Sequence, residues 1–262
     1  VVRRLRQRKL RDGKPLAVMV PSVDAARQLG VLSPADEHAL RSVAAPIVLV
    51  PARRPRVGVS EHVAPGCRDL GLMLPYAPLH HLLFSHGLGP LVMTSANLSG
   101  QPLTFRDDDA LRELADVADA FLVHDREIFR PIDDSVVFTF AGETVPVRRA
   151  RGFAPGPIHL ASPAPAAVLA LGGELKSTIC LLRGHEAIVS EHLGDLTNAA
   201  AYRHFLEAVG RLRALFDFRP DILACDLHPL YLSTRYAREQ AAEAGVELIA
   251  VQHHHAHIAS VM

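Results

Sequence analysis

The feature that most constrains the fold of this chain is the alternation of short apolar runs with amphipathic stretches. Helical periodicity is clearest at residues 24–30, 78–87 and 107–117. The β-rich runs between these stretches lie at residues 16–20, 45–50, 91–96, 120–125 and 135–140. This alternation predicts an α/β domain over residues 1–158.

A different order of elements is expected in the rest of the chain. Residues 159–167 contain two prolines among small residues, which is typical of an exposed linker. Residues 168–262 show three short apolar runs and then alternate helix and strand, so the predicted order is βββαβαβα. This is the layout of a ribonuclease-H or actin-like lobe, which commonly binds phosphate on the turns of its first hairpin.

Composition weighs against two classes of partner. The 28 Lys and Arg residues balance 28 Asp and Glu residues, so no overall positive field attracts nucleic acid or an anionic membrane. Charged or helix-breaking residues interrupt every apolar stretch well before the roughly 18 residues that a membrane span requires. The cysteines, Cys67, Cys180 and Cys225, are widely spaced and form no C-x-x-C pair, which predicts a reducing, cytoplasmic location.

The first candidate site is a basic cluster that follows a predicted basic helix at the start of the chain. Lys9, Arg11 and Lys14 lie within six positions of one another, just ahead of the first expected strand. Closely spaced cationic groups suit a triphosphate. The alternative is an ordinary solvated helix face.

The second candidate site is the polar sequence TSANLSG at the end of an apolar run. It supplies short polar groups at Thr94, Ser95, Asn97 and Ser99. Ligands of open α/β sheets usually bind at strand ends, where small hydroxyl and amide groups contact them closely. An ordinary Ser/Thr or Asx turn would have the same composition.

The third candidate site combines acidic and basic groups near one expected strand. Paired carboxylates hold Mg²⁺ on a nucleotide in many proteins, and arginines bind its phosphates. The same groups also pair with one another on protein surfaces. The residues concerned are Asp133, Asp134, Ser135, Arg148, Arg149 and Arg151.

The second half of the chain contains a glycine-rich turn and a histidine pair. Gly172, Gly173 and Lys176 lie at the first expected hairpin turn, where an actin-like lobe would meet phosphate; an ordinary exposed hairpin is the alternative. His253 and His257 have the i, i+4 spacing that places two imidazoles on one helix face for a metal ion, although such pairs are often incidental. The polar residues Asp226, His228, His192 and Asp195 follow strands, and their roles stay open at this point.

Taken in order, the first three sites resemble the YrdC-like or TsaC-like domain, whose members make acyl adenylates from ATP. The flanking sequence resembles the version of that domain found in HypF-type hydrogenase-maturation carbamoyltransferases. The segments that carry this resemblance are RQRKLRDGKPLAVM, LPYAPLHHLLF, VMTSANLSGQP, DDSVV and RRARGFAPGPI.

The rest of the chain resembles the TsaD-like domain that follows the YrdC-like one in the same family. The matching segments are LALGGELKSTICL, SEHLGDLTNAAAY, CDLHPLYLSTRYA and VQHHHAHIASVM. The resemblance implies a YrdC-like mixed twisted sheet with helices, and then a partial ribonuclease-H or actin-like lobe. The joined order is the specific signal, because in tRNA-modification systems the corresponding activities usually lie on separate chains.

The resemblance implies an ATP-dependent, adenylate-forming carbamoyltransferase. Carbamate derived from carbamoyl phosphate would attack the α-phosphorus of ATP, held with Mg²⁺, to give carbamoyl adenylate and pyrophosphate. The carbamoyl group would then pass to the C-terminal cysteine of a HypE-type partner, assisted by a divalent metal, Fe or Zn, at His253 and His257. No membrane or nucleic-acid partner is expected.

The same resemblance assigns roles to the candidate residues. Lys9, Arg11, Lys14 and Arg151 would neutralise phosphate charge, Ser95, Asn97 and Ser135 would orient the substrates, and Thr94, Arg149 and Lys176 complete the expected nucleotide-binding set.

The chain also departs from the family pattern. The acylphosphatase and zinc-finger domains, the glycine-rich opening of the YrdC-like domain and the second TsaD-like lobe are not in this sequence. We therefore expect residues 1–262 alone to be weak or inactive in the complete reaction. The rival functions are a tRNA-modification enzyme that uses threonylcarbamoyl adenylate, a non-catalytic RNA-binding module and a scaffold without chemistry.

Overall fold

The computed structural model describes residues 1–55 and 58–262. The chain divides into two compact units, Val1–Phe153 (unit 1) and Ala154–Met262 (unit 2). Each unit has its own six-stranded sheet and its own hydrophobic core.

Among the described residues, the helices all fall short of the length and apolar character needed to cross a membrane.

Unit 1 is built on a mixed sheet with the strand order β4-β1-β3-β2-β5-β6. Strands β1 and β3 pair in parallel, as do β2 and β5, and the other neighbours are antiparallel. The strands are β1 (Ala17–Met19), β2 (Ile47–Pro51), β3 (Asp69–Met73), β4 (Leu91–Met93), β5 (Val136–Phe140) and β6 (Glu143–Arg148). The helices are α1 (Val2–Arg8), α2 (Val23–Leu29), α3 (Pro34–Arg41), α4 (Pro78–Ser85) and α5 (Asp107–Glu113), with a 3-10 turn at Glu61–Val63.

The core of unit 1 forms around its central strands, of which β3 is buried along most of its length and β2 at alternate residues. Val18 and Leu72 are fully buried and are partners in the parallel register of β1 and β3. Leu40 of α3 packs into the same core. Helix α3 begins with a capping box in which the Ser33 hydroxyl and the Asp36 carboxylate exchange hydrogen bonds with the backbone. Asp36 also accepts a hydrogen bond from Thr139 Oγ1 at 2.7 Å, which ties α3 to β5.

Four of the five strands expected in unit 1 are present. The stretch 120–125 forms no strand among the described residues, and Leu122 is 76% exposed, because no neighbouring strand pairs with this run. The central strand β3 was not expected, because Gly71 interrupts its apolar run. A Cβ at Gly71 would lie 2.8 Å from Cγ2 of Ile47 on the neighbouring strand β2, so glycine leaves room for the Ile47 side chain here.

Unit 2 contains the predicted order βββαβαβα with one additional strand in front. Its sheet order is β12-β11-β8-β9-β10-β7. The strands are β7 (Pro157–His159), β8 (Val168–Leu171), β9 (Ile179–Arg183), β10 (Glu186–Val189), β11 (Ile222–Asp226) and β12 (Glu247–Val251), and the helices are α6 (Ala199–Leu215), α7 (Leu232–Ala244) and α8 (His253–Ala259). The fully buried ring of Phe205 on α6 meets Tyr236 of α7 edge to face at 5.6 Å.

The additional strand moves the division between the units toward the N-terminus. The division falls after Phe153 rather than at residue 158, because β7 pairs with β10. Part of the expected linker is also hydrogen-bonded to unit 2, since Leu160 N donates to His185 O and Ala164 N to Gly184 O, both at 2.8 Å. Pro157 is compatible with this pairing, because it is the first residue of the edge strand β7, where a missing backbone N–H is tolerated.

We predict that Gly152→Ala destabilises unit 1 far more than Gly142→Ala. Both glycines have nearly the same positive φ, +85° and +87°, so both substitutions incur the left-handed penalty of about 1 kcal/mol. Only a Cβ at Gly152 meets backbone, 2.8 Å from Ala44 O, so we expect a loss of roughly 3 kcal/mol or more there. Hydrogen exchange of the Val18 and Val48 amides measures the difference, and equal losses for the two variants would contradict the steric explanation.

Candidate functional site

The basic cluster and the TSANLSG strand end come together in unit 1. We call residues 9–14 the basic turn and residues 94–101 the serine loop. Lys9 is 2% exposed, and its Nζ donates to the Ser95 carbonyl. In return, Ser99 N donates to Lys9 O at 3.3 Å. The two segments therefore form one continuous site.

The electrostatics of the basic turn are unfavourable in the protein alone. Burial, and then the positive charge of Arg11, lower the pKa of Lys9 to about 8. Among the described residues, Lys9 forms no ion pair with a carboxylate. A nearly buried ammonium group without a counter-ion is an arrangement that favours an anionic ligand.

Arg11 is the second cation of the basic turn. Burial lowers its pKa, as do the charges of Arg6 and Arg148, whereas Asp133 raises it. Its Nη2 donates to Pro15 O at 2.8 Å, while its Nε is buried and finds no hydrogen-bond acceptor in the part of the chain that the structure describes. Arg11 therefore interacts electrostatically with Asp133, which lies ahead of β5, and with Arg148, the last residue of β6.

Arg6 organises the basic turn, although the sequence pattern did not single it out. Its guanidinium donates to Arg11 O and to Lys14 O, both at 3.0 Å, and to His62 O at 2.7 Å. No sequence signal separates Arg6 from the other arginines of α1, because its partners are backbone carbonyls. Lys14 itself is exposed, so its side chain lies at the rim of the turn.

The serine loop is held by its own polar groups. Ser95 Oγ donates to Asn97 Oδ1 at 2.7 Å, and Asn97 Nδ2 donates to Gln101 O at 2.6 Å. Thr104 N closes the loop onto Ala96 O at 2.8 Å. Thr94 is exposed at the end of β4. The loop is therefore an ordered turn that also contacts the buried ammonium group.

Arg151 differs from the expected phosphate contact. It makes four hydrogen bonds within unit 1, two to Asp134 Oδ1 and one each to Ala44 O and Ala45 O. Its guanidinium carbon also lies 3.5 Å from the ring centroid of Tyr76. Burial, and then the Asp134 charge, raise the pKa of Tyr76. Most of the donors of Arg151 are therefore used in holding the chain.

Ser135 and Arg149 also serve the framework. Ser135 is fully buried, its Oγ donates to Arg151 O at 2.9 Å and accepts from Ala150 N at 2.8 Å. These two backbone partners fix the hydroxyl of Ser135, and the role of this group in orienting a substrate stays a prediction. Arg149 Nη2 donates to Phe153 O at 3.0 Å.

The glycine-rich turn of unit 2 is fixed at both ends. Lys176 has a positive φ of 51° and is exposed, and its backbone N donates to Asp195 Oδ1 at 2.8 Å. Glu174 Oε2 accepts from Leu232 N at 2.9 Å, so the turn is tied to the beginning of α7. This answers the open question of Asp195, whose carboxylate holds the backbone of Lys176.

The histidine pair lies directly beside this turn. The Nε2 atoms of His253 and His257 are 3.2 Å apart, and His253 Nδ1 is 2.6 Å from Asp226 Oδ2. A Cβ at Gly173 would lie 3.5 Å from His253 Cε1, an ordinary van der Waals distance, so this residue of the turn is a neighbour of the imidazole. His228 stacks on Tyr231 with ring centroids 4.3 Å apart.

The separation of the two Nε2 atoms suits two ligands of a single metal ion. Two nitrogens bound to one tetrahedral Zn²⁺ at about 2.0–2.1 Å stand about 3.3 Å apart, close to the observed separation. In the described parts of the chain, no group of three or more His, Cys, Asp or Glu residues is arranged to hold a metal ion.

Comparison with known proteins identifies both units. A sequence family described as "Telomere recombination", Sua5, YciO and YrdC, matches residues 1–150, and the "HypF Kae1-like domain" matches residues 163–262. Carbamoyltransferase HypF2 of Cupriavidus necator is 48% identical over the whole of this chain and 34% of its own length. Carbamoyltransferase HypF of Rhodobacter capsulatus is 47% identical over 98% of this chain and 34% of its own length.

The chain belongs to the HypF carbamoyltransferase family. A crystal structure of full-length HypF in the phosphate- and nucleotide-bound form matches 99% of this chain and 40% of its own, at 43% identity with a TM-score of 0.92. The predicted family and α/β fold class are thereby confirmed. The chain spans about a third of the length of the curated HypF relatives it matches.

We predict that Arg151→Lys costs unit 1 about 2–4 kcal/mol of unfolding free energy, because lysine cannot reproduce the forked hydrogen bonds and the stacking on Tyr76. Arg148→Lys is the matched control. Arg148 makes a single ion pair with Asp133 at 3.8 Å and is partly exposed, so its loss is expected to stay below about 1 kcal/mol. Chemical denaturation followed by hydrogen exchange in unit 1 compares the two, and a milder effect at Arg151 would contradict its framework role.

Proposed function

We propose that this HypF-family chain takes part in carbamoyl transfer for nickel-iron hydrogenase maturation, with carbamoyl adenylate formed in unit 1 and the carbamoyl group delivered at unit 2. The supporting observation is the contact of the buried Lys9 ammonium group, which pairs with no carboxylate among the residues that the structure describes, with the serine loop. The family relationship supplies the carbamoyl group as the cargo, since the curated relatives are named carbamoyltransferases.

ATP, held with Mg²⁺, is the ligand that best satisfies the basic turn. Lys9 and Arg11 are both desolvated cations whose pKa values are lowered, and a polyphosphate provides the missing negative charge. The exposed Lys14 at the rim adds a positive charge for the outer phosphates. Because these positive groups are already in position, the protein need not rearrange when negative charge develops on the departing pyrophosphate.

The adenylate-forming step requires no covalent enzyme intermediate. An oxygen of carbamate attacks the α-phosphorus of ATP, the bond to the β-phosphate oxygen breaks, and pyrophosphate leaves with the electron pair. Lys9 and Arg11 neutralise that leaving charge, while Ser95, Asn97 and Thr94 border the acyl end of the site. Arg151, Arg149 and Ser135 act by holding the strand ends that shape the site.

The transfer step belongs to unit 2 in this proposal. The thiolate of the C-terminal cysteine of a HypE-type partner attacks the carbamoyl carbon, AMP leaves, and a thiocarbamate forms. Lys176 lies at the glycine-rich turn to bind the phosphate of AMP. His253 and His257 would hold a divalent metal, Fe or Zn, which when bound supplies Lewis-acid polarisation of the carbonyl. We place both steps in the cytoplasm.

The identity of the adenylate is tested by ATP–pyrophosphate exchange in the full-length protein that carries this chain. Carbamoyl phosphate is expected to support exchange, and threonine with bicarbonate is not. Exchange only with threonine and bicarbonate would instead support the tRNA-modification alternative. Binding of RNA with a steep salt dependence and no nucleotide turnover would support the RNA-binding alternative.

We predict that ATP affinity of the chain falls as the pH rises above about 8. The free Lys9 loses its proton near pH 8, whereas bound phosphate raises its pKa, so binding takes up a proton above that pH. Affinity is expected to fall by up to about tenfold per pH unit, because ATP is already fully ionised in this range.

Lys9→Arg is the control for this pH dependence, since arginine stays protonated. Calorimetric titration at pH 7.5, 8.5 and 9.5 compares the two proteins. If the affinity of the chain with Lys9 stays constant over that range, Lys9 does not contact the phosphates.

A further inference from the structure

Asp226 occupies a position that the histidine pattern alone does not reveal. It is the last residue of β11, it is buried, and it pairs in register with Val251 of the parallel strand β12. Leu227 N donates to Val251 O at 2.9 Å, so the ends of the two strands are joined just before α8 begins at His253. The carboxylate is therefore held on a rigid strand end next to the first histidine.

Both oxygens of the Asp226 carboxylate receive a hydrogen bond. Oδ1 accepts from His228 N at 2.9 Å, and Oδ2 lies 2.6 Å from His253 Nδ1. An ionised carboxylate only accepts, so its contact with His253 requires the hydrogen of that imidazole to sit on Nδ1. Thr234 Oγ1 donates to the backbone oxygen of Asp226 at 2.9 Å and secures the same residue from α7.

The tautomer has a direct consequence for the histidine pair. With the hydrogen on Nδ1, His253 Nε2 presents its lone pair toward His257 Nε2, 3.2 Å away. A metal ligand must offer that lone pair, and imidazoles that bind metal usually donate their other N–H to a carboxylate.

We propose that Asp226 is the positioning residue of a metal site at His253 and His257, holding His253 in the Nδ1–H tautomer so that its Nε2 binds the ion. This inference rests on the metal-binding role assigned to the pair under the proposed function. It adds a residue whose own contact with the metal is not required. It also gives a reason for burying a carboxylate at the end of β11.

Asp226→Asn is the decisive substitution, because the asparagine side chain has one oxygen for two N–H partners. The backbone N–H of His228 is a fixed donor and takes that oxygen. The amide NH₂ then faces His253 Nδ1, which must become an acceptor, and the imidazole hydrogen moves to Nε2. The lone pair that would bind the metal is lost without any change in side-chain size.

The experiment titrates Co²⁺ into the full chain and follows its visible absorption, with the unmodified chain and three variants in parallel. The double substitution His253→Ala and His257→Ala is expected to remove binding. Asp226→Asn is expected to weaken binding by about 10- to 100-fold. Asp221→Asn is the matched control, because Asp221 precedes the same strand and accepts from Ala167 N instead of a histidine, so its affinity should match the unmodified chain.

The outcomes separate the two hypotheses. Equal Co²⁺ affinity for Asp226→Asn and the unmodified chain would overturn the positioning role and leave the histidine pair as the site. Equal affinity for the double histidine variant and the unmodified chain would overturn the metal site itself, and the inference with it. Imidazole ¹⁵N chemical shifts of the unmodified chain add a test that needs no variant: we expect His253 to carry its hydrogen on Nδ1, and finding it on Nε2 refutes the proposal.

Discussion

The buried ammonium group of Lys9 is the constraint on which the site of unit 1 depends. Its hydrogen bond to the Ser95 carbonyl joins the end of α1 to the end of β4, two segments far apart in the sequence. Burying a charge costs free energy, and burial together with the charge of Arg11 lowers the pKa of Lys9 to about 8. A fold tolerates this cost where a ligand of opposite charge offsets it, and the unsatisfied Nε of Arg11 belongs to the same arrangement.

The two units position their polar groups by the same means and for different chemistry. In each, a residue at or just after a strand end contacts a charged or ionisable side chain of another segment: the Ser95 carbonyl accepts from Lys9, and Asp226 contacts His253. Unit 1 collects cations around a short serine-rich loop, which suits phosphate. Unit 2 aligns imidazoles beside a glycine-rich turn through the carboxylate of Asp226, which suits a metal ion next to an anionic group.

The fold of unit 2 was predictable from the sequence because its apolar runs are continuous and its helices are long and amphipathic. The strands of unit 1 were harder to predict from the sequence. Gly71 interrupts the apolar pattern of the central strand β3, and its need for glycine comes from Ile47 on the neighbouring strand. Conversely, residues 120–125 have the composition of a strand but lack a partner, and pairing is a property of the folded chain.

By itself, the sequence determined the family, the α/β class, the order of elements in unit 2 and the chemical types of the site residues, because these follow from local periodicity and short motifs. Tertiary structure decided which groups remain available to a ligand. Arg151 had the same predicted role as Lys9 in the sequence, yet its side chain bonds to Ala45 O across 106 positions, and the buried Ser135 hydroxyl donates to Arg151 O. Hydrogen-bond donors are consumed by whichever acceptors the fold brings near, and no local pattern encodes those distant partners.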